Sequence, residues 1–435
     1  MTNDPSTGVS RRQFLQTSST AALAGSVAMP FILTSSSRAA SPGDTLKVGL
    51  VGCGGRGTGA AAQALTSDSN VQLTVMGDMF ESQIKSSHAA LSKQVPESKL
   101  KVTPDAMFSG LDAYKKVIDS GVDVVLLASP PGFRPTHFGY AVKAGKHIFT
   151  EKPMATDAAG VRQIMRSVEE SKRKKLAVVA GFCWRYDYAR RAFYEKLHDG
   201  ALGEIRGIYA TYLTSPVKPM PQANTRPEGM SEIEWQIRNW YNFVWLSGDG
   251  LVEQAIHSID KIAWAMKDQP PSKCTAVGGR AVAAHGGNIY DHIQVNYEWE
   301  NGVRAFMAQR QINNCYGENN DYVMGSKGFG YINSRGVYLT GENPWKYSGE
   351  KNEMYQTEHN EFFASIRAGK PLNDGDRMAK STLMGIMGRM AAYTGAEVTW
   401  DMMLNSEERL VPEHITLDMK FEAPPLAIPG KTKFV

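Results

Sequence analysis

Short apolar runs punctuate the first half of the chain, at Leu46–Val51, Val71–Asp78, Val122–Ala128, Ile148–Thr150 and Leu176–Ala180. Leu46–Val51 and Val122–Ala128 are mostly apolar, as expected of strands covered on both faces. Strong helix formers follow the first run at Ala60–Leu65, and Thr136–Ala144 reads as a helix with Gly145 as its C-cap. Strand, helix and strand repeated in this order predict a doubly wound parallel sheet. The second half has another rhythm. A helix is predicted over Arg190–His198, then a strand with Ile205, Ile208, Ala210 and Tyr212 apolar. Further strands are predicted over Lys273–Val282, Ile289–Trp299 and Val303–Arg310. Between them, Leu251, Ala255, Ile259, Ile262, Ala263 and Met266 recur at helical spacing. Strands paired after helices predict an α+β domain with a mostly antiparallel, open sheet.

These patterns divide the chain into residues 1–40, 44–180, 181–400 and a Pro-rich tail, 401–435, expected to pack on a neighbour or on the domain surface. The length of 435 residues suits two domains. A hydrophobic fraction of 42% and a charged fraction of 21% are those of an ordinary globular protein. The net charge of +4 is small, and the densest basic run, "SKRKKL", reads as a solvated helix end, so no nucleic-acid partner is expected. The first forty residues differ in kind. "SRRQFLQ" is followed by the mildly apolar "TSSTAALAGSVAMPFILTSS", the order of a bacterial export leader. Its twin arginine points to the Tat machinery and a periplasmic destination. Ser and Thr interrupt the apolar stretch throughout, so no stable membrane anchor is expected. Cys53, Cys183, Cys274 and Cys315 show no metal spacing.

The chemistry begins at Gly52-Cys53-Gly54-Gly55-Arg56-Gly57, a G-x-G-x-x-G match between a strand and a helix. In that setting Gly52 permits the tight turn, Gly54 lets backbone approach a pyrophosphate, and Gly57 lets the helix pack closely. The helix N-terminus then offers N–H groups to phosphate. Asp78 ends the second strand 26 residues after Gly52, near the spacing of an acid that bonds a ribose 2′-OH. Its carboxylate favours NAD, while Arg56 keeps NADP open. Ser129 and Pro130 turn at the carboxyl end of another strand, and Glu151-Lys152-Pro153 lies at a third. Ligands of such sheets bind outside the carboxyl ends of the strands.

In the second half, Glu253, His257 and Asp260 fall at i, i+4 and i+7 and so share one helix face. Such a face suits a proton-transfer histidine. It equally suits a half-buried histidine among helix salt bridges. The long segment from Pro216 to Trp245 mixes Trp240 and other aromatics with Asn224, Arg226, Arg238 and Asn239. It suits either a sugar or a contact between subunits. No metal set is expected, since Glu253, His257 and Asp260 alone are too few ligands.

Taken together, strand–GxGGxG–helix, then "AGKHIFTEKPMA", then an H-x-x-D segment resembles the Gfo/Idh/MocA oxidoreductases over roughly residues 45–398. Two helices around "GKPLND" fit that pattern. The resemblance implies an N-terminal Rossmann domain and a C-terminal α+β domain whose open sheet builds a homodimer or homotetramer. It places Lys152 beside the nicotinamide, bonding the substrate's reacting oxygen, with Pro153 often following a cis peptide. A cation there would stabilise a forming alkoxide. It makes His257 the general base, with Glu253 standing where the family has Asp as its orienter. Arg185 and Tyr186 match the family's Arg–aromatic pair, and with Trp240 and Asp260 they are the expected substrate contacts. The implied activity is an exported NAD(P)-dependent oxidoreductase, moving a hydride between a sugar or polyol hydroxyl carbon and a tightly bound cofactor. An NAD-dependent glycosidase and a non-catalytic sugar-binding scaffold are the alternatives.

Overall fold

The computed structural model describes residues 43–435. The export leader expected at residues 1–40 lies outside the described residues.

The first sheet has six parallel strands: β1 (Leu46–Val51), β2 (Val71–Asp78), β3 (Met107–Ser109), β4 (Val124–Leu127), β5 (His147–Thr150) and β6 (Val178–Ala180). Their order is β3-β2-β1-β4-β5-β6. The chain therefore starts at the centre, winds to one edge, and returns to build the other half from β4. The order reverses between β1 and β4, whose register pairs Val51 with Leu127. A crevice must open beyond their carboxyl ends, and the loops at Gly52 and Ser129 face it. Val124, Val125, Leu126 and Leu127 are all fully buried, the physical reason for an unbroken apolar run.

The second sheet has nine strands: β7 (Ile205–Thr214), β8 (Lys273–Gly279), β9 (His292–Glu298), β10 (Arg304–Gln311), β11 (Asp321–Gly325), β12 (Gly328–Asn333), β13 (Gly336–Gly341), β14 (Trp345–Lys346) and β15 (Val398–Thr399). The order is β14-β13-β12-β11-β7-β10-β9-β8-β15. Every pair is antiparallel except β7 with β10. One face is core. Ile293, Val295 and Tyr297 of β9 lie on it, against the helix Gly375–Thr394, which is buried along most of its length. That helix also packs on Ala158–Arg173, a helix of the first half, and so joins the two sheets. The other face is open. Phe306, Tyr209, Tyr322, Tyr331 and Tyr338 stand in register across β10, β7, β11, β12 and β13. Tyr331 stacks on Tyr338 at 4.8 Å, and Tyr209 on Tyr322 at 5.8 Å.

Two features depart from the sequence reading. The strands over residues 321–346 have no counterpart in it. The helix expected through Leu251–Met266 is interrupted: Gly250–Glu253 is one turn, and a helix resumes at Ile256. The tail packs on the chain's own surface. Phe421 meets Trp245 edge-on at 5.3 Å, Gln236 Nε2 donates to the Phe421 carbonyl at 3.0 Å, and Tyr290 donates to that of Ala427 at 2.9 Å.

Candidate active site

The glycine loop obeys its geometry. Gly52 has φ of +93°, and a Cβ there would lie 2.5 Å from the Ala128 carbonyl carbon. A Cβ on Gly57 would lie 1.8 Å from the Gly52 carbonyl oxygen, so the helix sits directly against the turn. Gly54 and Gly55 have nothing within 4 Å of that position, which leaves the helix N-terminus open to a ligand. Asp78 braces the loop: its Oδ2 accepts from the Cys53 N–H at 2.6 Å and its Oδ1 from the Phe80 N–H at 2.9 Å. Burial raises its pKa above the usual carboxylate value. Gly52, Gly54, Gly55, Asp78, Ser129 and Pro130 all line one cleft of about 320 Å³.

The neighbouring strand end is tied to the same rim by a residue that sequence reasoning missed. Arg134 is fully buried. Its guanidinium donates to the Ser129 carbonyl at 2.5 Å and to the Pro153 carbonyl. It thereby fixes the two loops against each other. Burial pushes its pKa down to about 10, against the pull of Glu151 and Glu253. Nothing in "GFRPTHF" announces this, because the partners are backbone carbonyls.

The peptide between Lys152 and Pro153 is cis. Lys152 Nζ donates to Glu253 Oε1 at 2.9 Å and to the Glu253 carbonyl at 2.5 Å. The two side chains are only 9% and 8% exposed. Glu253 therefore holds Lys152 and makes no hydrogen bond to His257, which corrects its expected part as orienter of the imidazole. The helix interruption is the cause. It breaks the i, i+4 relation that the spacing implied, and it frees the Glu253 carbonyl for the lysine.

His257 lies on the resumed helix with its Nδ1 buried and without a hydrogen-bond partner. Its ring tilts against Trp184 at 5.2 Å and meets Phe182 edge-on at 6.3 Å. Burial first, then the charges of Lys152 and Lys261, hold its pKa well below the usual histidine value. The imidazole is therefore neutral at neutral pH, the state a proton acceptor needs.

Residues 46–180 match the family Gfo/Idh/MocA, described as "Oxidoreductase family, NAD-binding Rossmann fold". Over these residues the chain is similar to that NAD-binding domain. The chain is similar to the inositol 2-dehydrogenase of Rhizobium meliloti (strain 1021), at 23% identity over 76% of this chain and 93% of that one. It is similar to the inositol 2-dehydrogenase of Acidothermus cellulolyticus at 25% identity, over 58% of this chain and 62% of the relative. Among solved structures, GenD2 of gentamicin A biosynthesis, a complex with NAD, superposes with a TM-score of 0.62 at 17% identity, covering 83% of this chain and 98% of that one. The aldose-aldose oxidoreductase from Caulobacter crescentus does so with a TM-score of 0.63 at 18% identity, covering 82% and 99%. These two show that the fold is shared.

Within the matched domain the open Gly54–Gly55 backbone and the acid at the end of β2 fit NAD. Several expected contacts are corrected. Arg56 turns away from the cleft: its Nε and Nη2 donate to Glu151 Oε1 at 3.0 and 2.6 Å, and its guanidinium lies over Tyr355 at 4.7 Å. Arg56 and Glu151 thus neutralise each other beside the cleft and do not line it. Gly57 is covered by the turn it packs on. Arg185 and Asp260 are not free for a substrate. Arg185 grips Asp260 through two bonds, at 2.8 and 2.9 Å, and also bonds Asp268, while Ser381 donates to Asp260 at 2.7 Å. A buried pair so fully satisfied by its own partners has no direction left for a ligand. Tyr186 is likewise engaged, its hydroxyl on Asp374 at 2.9 Å. Trp240 lines the cofactor cleft beside Asp78, not a site apart from it.

Other residues join the site unannounced. Tyr212 donates to Gln254 Oε1 at 2.9 Å, and Gln254 in turn donates to Glu253 Oε2 at 2.6 Å. Lys261 is fully buried, paired with Asp321, and stands 3.8 Å from the centre of the Trp184 ring. Burial pushes its pKa down to about 8. Its signal was visible: a lysine one turn after His257, between the apolar Ile259 and Ile262. Among the described residues, no three His, Cys, Asp or Glu side chains are placed to hold a metal ion.

Proposed function

We propose that the protein is an NAD(P)-dependent oxidoreductase acting on a hydroxyl-bearing carbon of a sugar or polyol. The observation that carries this is a neutral His257 whose proton affinity is set in part by Lys152, at the carboxyl rim of an NAD-binding sheet. Bound nicotinamide supplies the acceptor or donor of the hydride. The chain's own groups do the rest. His257 takes the hydroxyl proton, or returns it in the reverse direction. Lys152 donates to the substrate oxygen and stabilises the charge that develops there. Glu253 keeps the ammonium aimed. The names of the inositol dehydrogenase relatives support a polyol or sugar as substrate. None of the relatives described here supports the glycosidase alternative.

The twin-arginine leader supports export by the Tat route to the periplasm, where a carried, slowly exchanging cofactor would be needed. The row from Phe306 to Tyr338 supports self-association, as a homodimer or homotetramer, through the open face of the second sheet.

The test is to purify the protein without added cofactor, denature it, and assay the supernatant for NAD(H) and NADP(H). Hydride transfer with inositols and aldoses is then followed at the nicotinamide absorbance. Nucleotide binding together with turnover that is lost in His257→Asn and Lys152→Met is the expected result. A protein that releases no nucleotide and binds none on titration refutes the reading.

A further inference from the structure

The segment from Pro216 to Trp245 approaches the dinucleotide cleft from the second half of the chain. Lys218, Ile237, Arg238 and Trp240 line the same cleft as Gly54 and Asp78. Arg238 ends the helix Glu232–Arg238, and its guanidinium lies 4.2 Å from the centre of the Phe80 ring, two residues beyond Asp78. Lys218 Nζ donates to the carbonyl of Arg238 itself at 2.6 Å. Lys218 is thus fastened to the backbone that carries Arg238, and both cations line the acid's side of the cleft.

Among the described residues no carboxylate lies within ion-pair distance of Lys218, and Arg238 has only a long pair, at 3.7 Å, with Glu234 one turn back. Two like charges held together repel unless an anion joins them. Desolvation and the charge of Arg238 both lower the pKa of Lys218, the direction expected where a counter-ion is wanting. Asp78 is on the same side of the cleft, but among the described residues it forms no ion pair with either cation; its bonds are to the Cys53 and Phe80 N–H groups.

The helix that carries Arg238 packs on a small core of its own. Ile233, Ile237, Phe243 and Trp245 form a small core with Phe421 of the tail against it. Trp245 Nε1 donates to Gln236 Oε1 at 2.7 Å, and Gln236 is bonded to the Phe421 carbonyl. The backbone that bears Arg238 is therefore held in place, and Lys218 is tied to it through the Arg238 carbonyl.

We infer that Lys218 and Arg238 bind a phosphate of the adenosine half of the dinucleotide, so that the second half of the chain completes the cofactor site. The inference rests on the NAD(P) reading above. The phosphate has two sources: the diphosphate bridge, common to NAD and NADP, or the 2′-phosphate of NADP alone. A 2′-phosphate would find its cations here, and not at Arg56, which is paired with Glu151.

Calorimetric titration of the whole protein, stripped of nucleotide, with NAD and NADP tests this, comparing wild type with Lys218→Met/Arg238→Met. Loss of hydrogen bonds to charged groups should weaken binding about 10- to 100-fold. Equal weakening for both nucleotides assigns the diphosphate; weakening confined to NADP assigns the 2′-phosphate. Raising the salt concentration should weaken the wild type more than the double variant, a readout available even if the variant is less stable. Unchanged affinity and equal salt dependence in the double variant overturn the inference alone. A wild type that binds neither nucleotide overturns the cofactor reading and this inference with it.

Discussion

The Lys152–Glu253 pair is the contact on which the proposed chemistry leans most, and it can be measured directly. The N–O distance is 2.9 Å, and both side chains are under a tenth exposed. With an effective dielectric constant of about 20, attraction at that distance is roughly 6 kcal/mol. Desolvation of two ions opposes it, so the pair need not add net stability. Removing one partner is different, because a buried charge is left behind. Glu253→Met strands the ammonium on a single carbonyl, and Lys152→Met strands the carboxylate beside Gln254. Each should destabilise the fold by about 3–5 kcal/mol. The double variant replaces both ions with apolar side chains and should cost no more than either single change. The coupling is then about 3 kcal/mol, at the upper end for residues in contact. Urea unfolding of the four proteins at pH 7.5 gives the cycle. A kinetic arm separates structure from function. A reacting group misplaced by about 1 Å loses roughly a hundredfold in rate, so Glu253→Met should lower kcat by about that factor with cofactor affinity unchanged. Additive single-variant effects, or a Glu253→Met enzyme as fast as wild type, would refute the claim that Glu253 holds Lys152.

Two further expectations concern histidines. An unperturbed imidazole with a pKa of about 6.5 would be roughly nine-tenths protonated at pH 5.5, and a base of that kind would lose about tenfold in kcat/KM. Because His257 is held well below that value, its acid limb should fall below pH 6.5, and a break near 6.5 in the pH–rate profile would contradict it. His359 is fully buried against Phe149 at 4.1 Å, with both ring nitrogens unpartnered and its pKa pushed down to about 3 by burial. The folded-state value lies below the unfolded one, so acid favours the unfolded chain. Relative to His359→Phe, the wild type should lose about 1.4 kcal/mol between pH 7.5 and 5.5, and about 2 by pH 5.0. Parallel stability–pH curves for the two proteins would show that the imidazole is not held neutral.

Much of the first sheet was legible, for a physical reason. The central β4 is buried on both faces and shows as an unbroken apolar run, and β2, although Gln72 and Thr74 interrupt it, falls at Val71–Asp78 as the pattern predicts. The second sheet was read less well. Its open face lets β11 to β13 alternate aromatic, glycine and polar residues, and Gly325, Gly328, Gly330, Gly336 and Gly341 mask them as turns. The site divides in the same way. The glycine loop and Lys152 are local signals. The break at Gln254 and Ala255 has neither glycine nor proline to mark it, so Glu253 seemed to share a helix face with His257. Arg185 and Asp260 looked available because a separation of 75 positions hides the fact that each is the other's partner. Likewise nothing local to Lys218 or Arg238 says that their segment folds back over Asp78.

The interrupted helix has a stereochemical consequence. A lysine ammonium ordinarily swivels about its last bond and offers three equivalent N–H vectors to any oxygen in reach. Here the carbonyl exposed by the missing turn and the carboxylate of the same residue claim two of them. One vector is left, and it cannot rotate without breaking both anchors. A flexible point charge thus becomes a donor of fixed bearing. Among the several hydroxyls of a polyol ring, the one addressed would be chosen by the bearing of that single N–H bond, and epimers differing only in axial or equatorial placement of one oxygen would be told apart there.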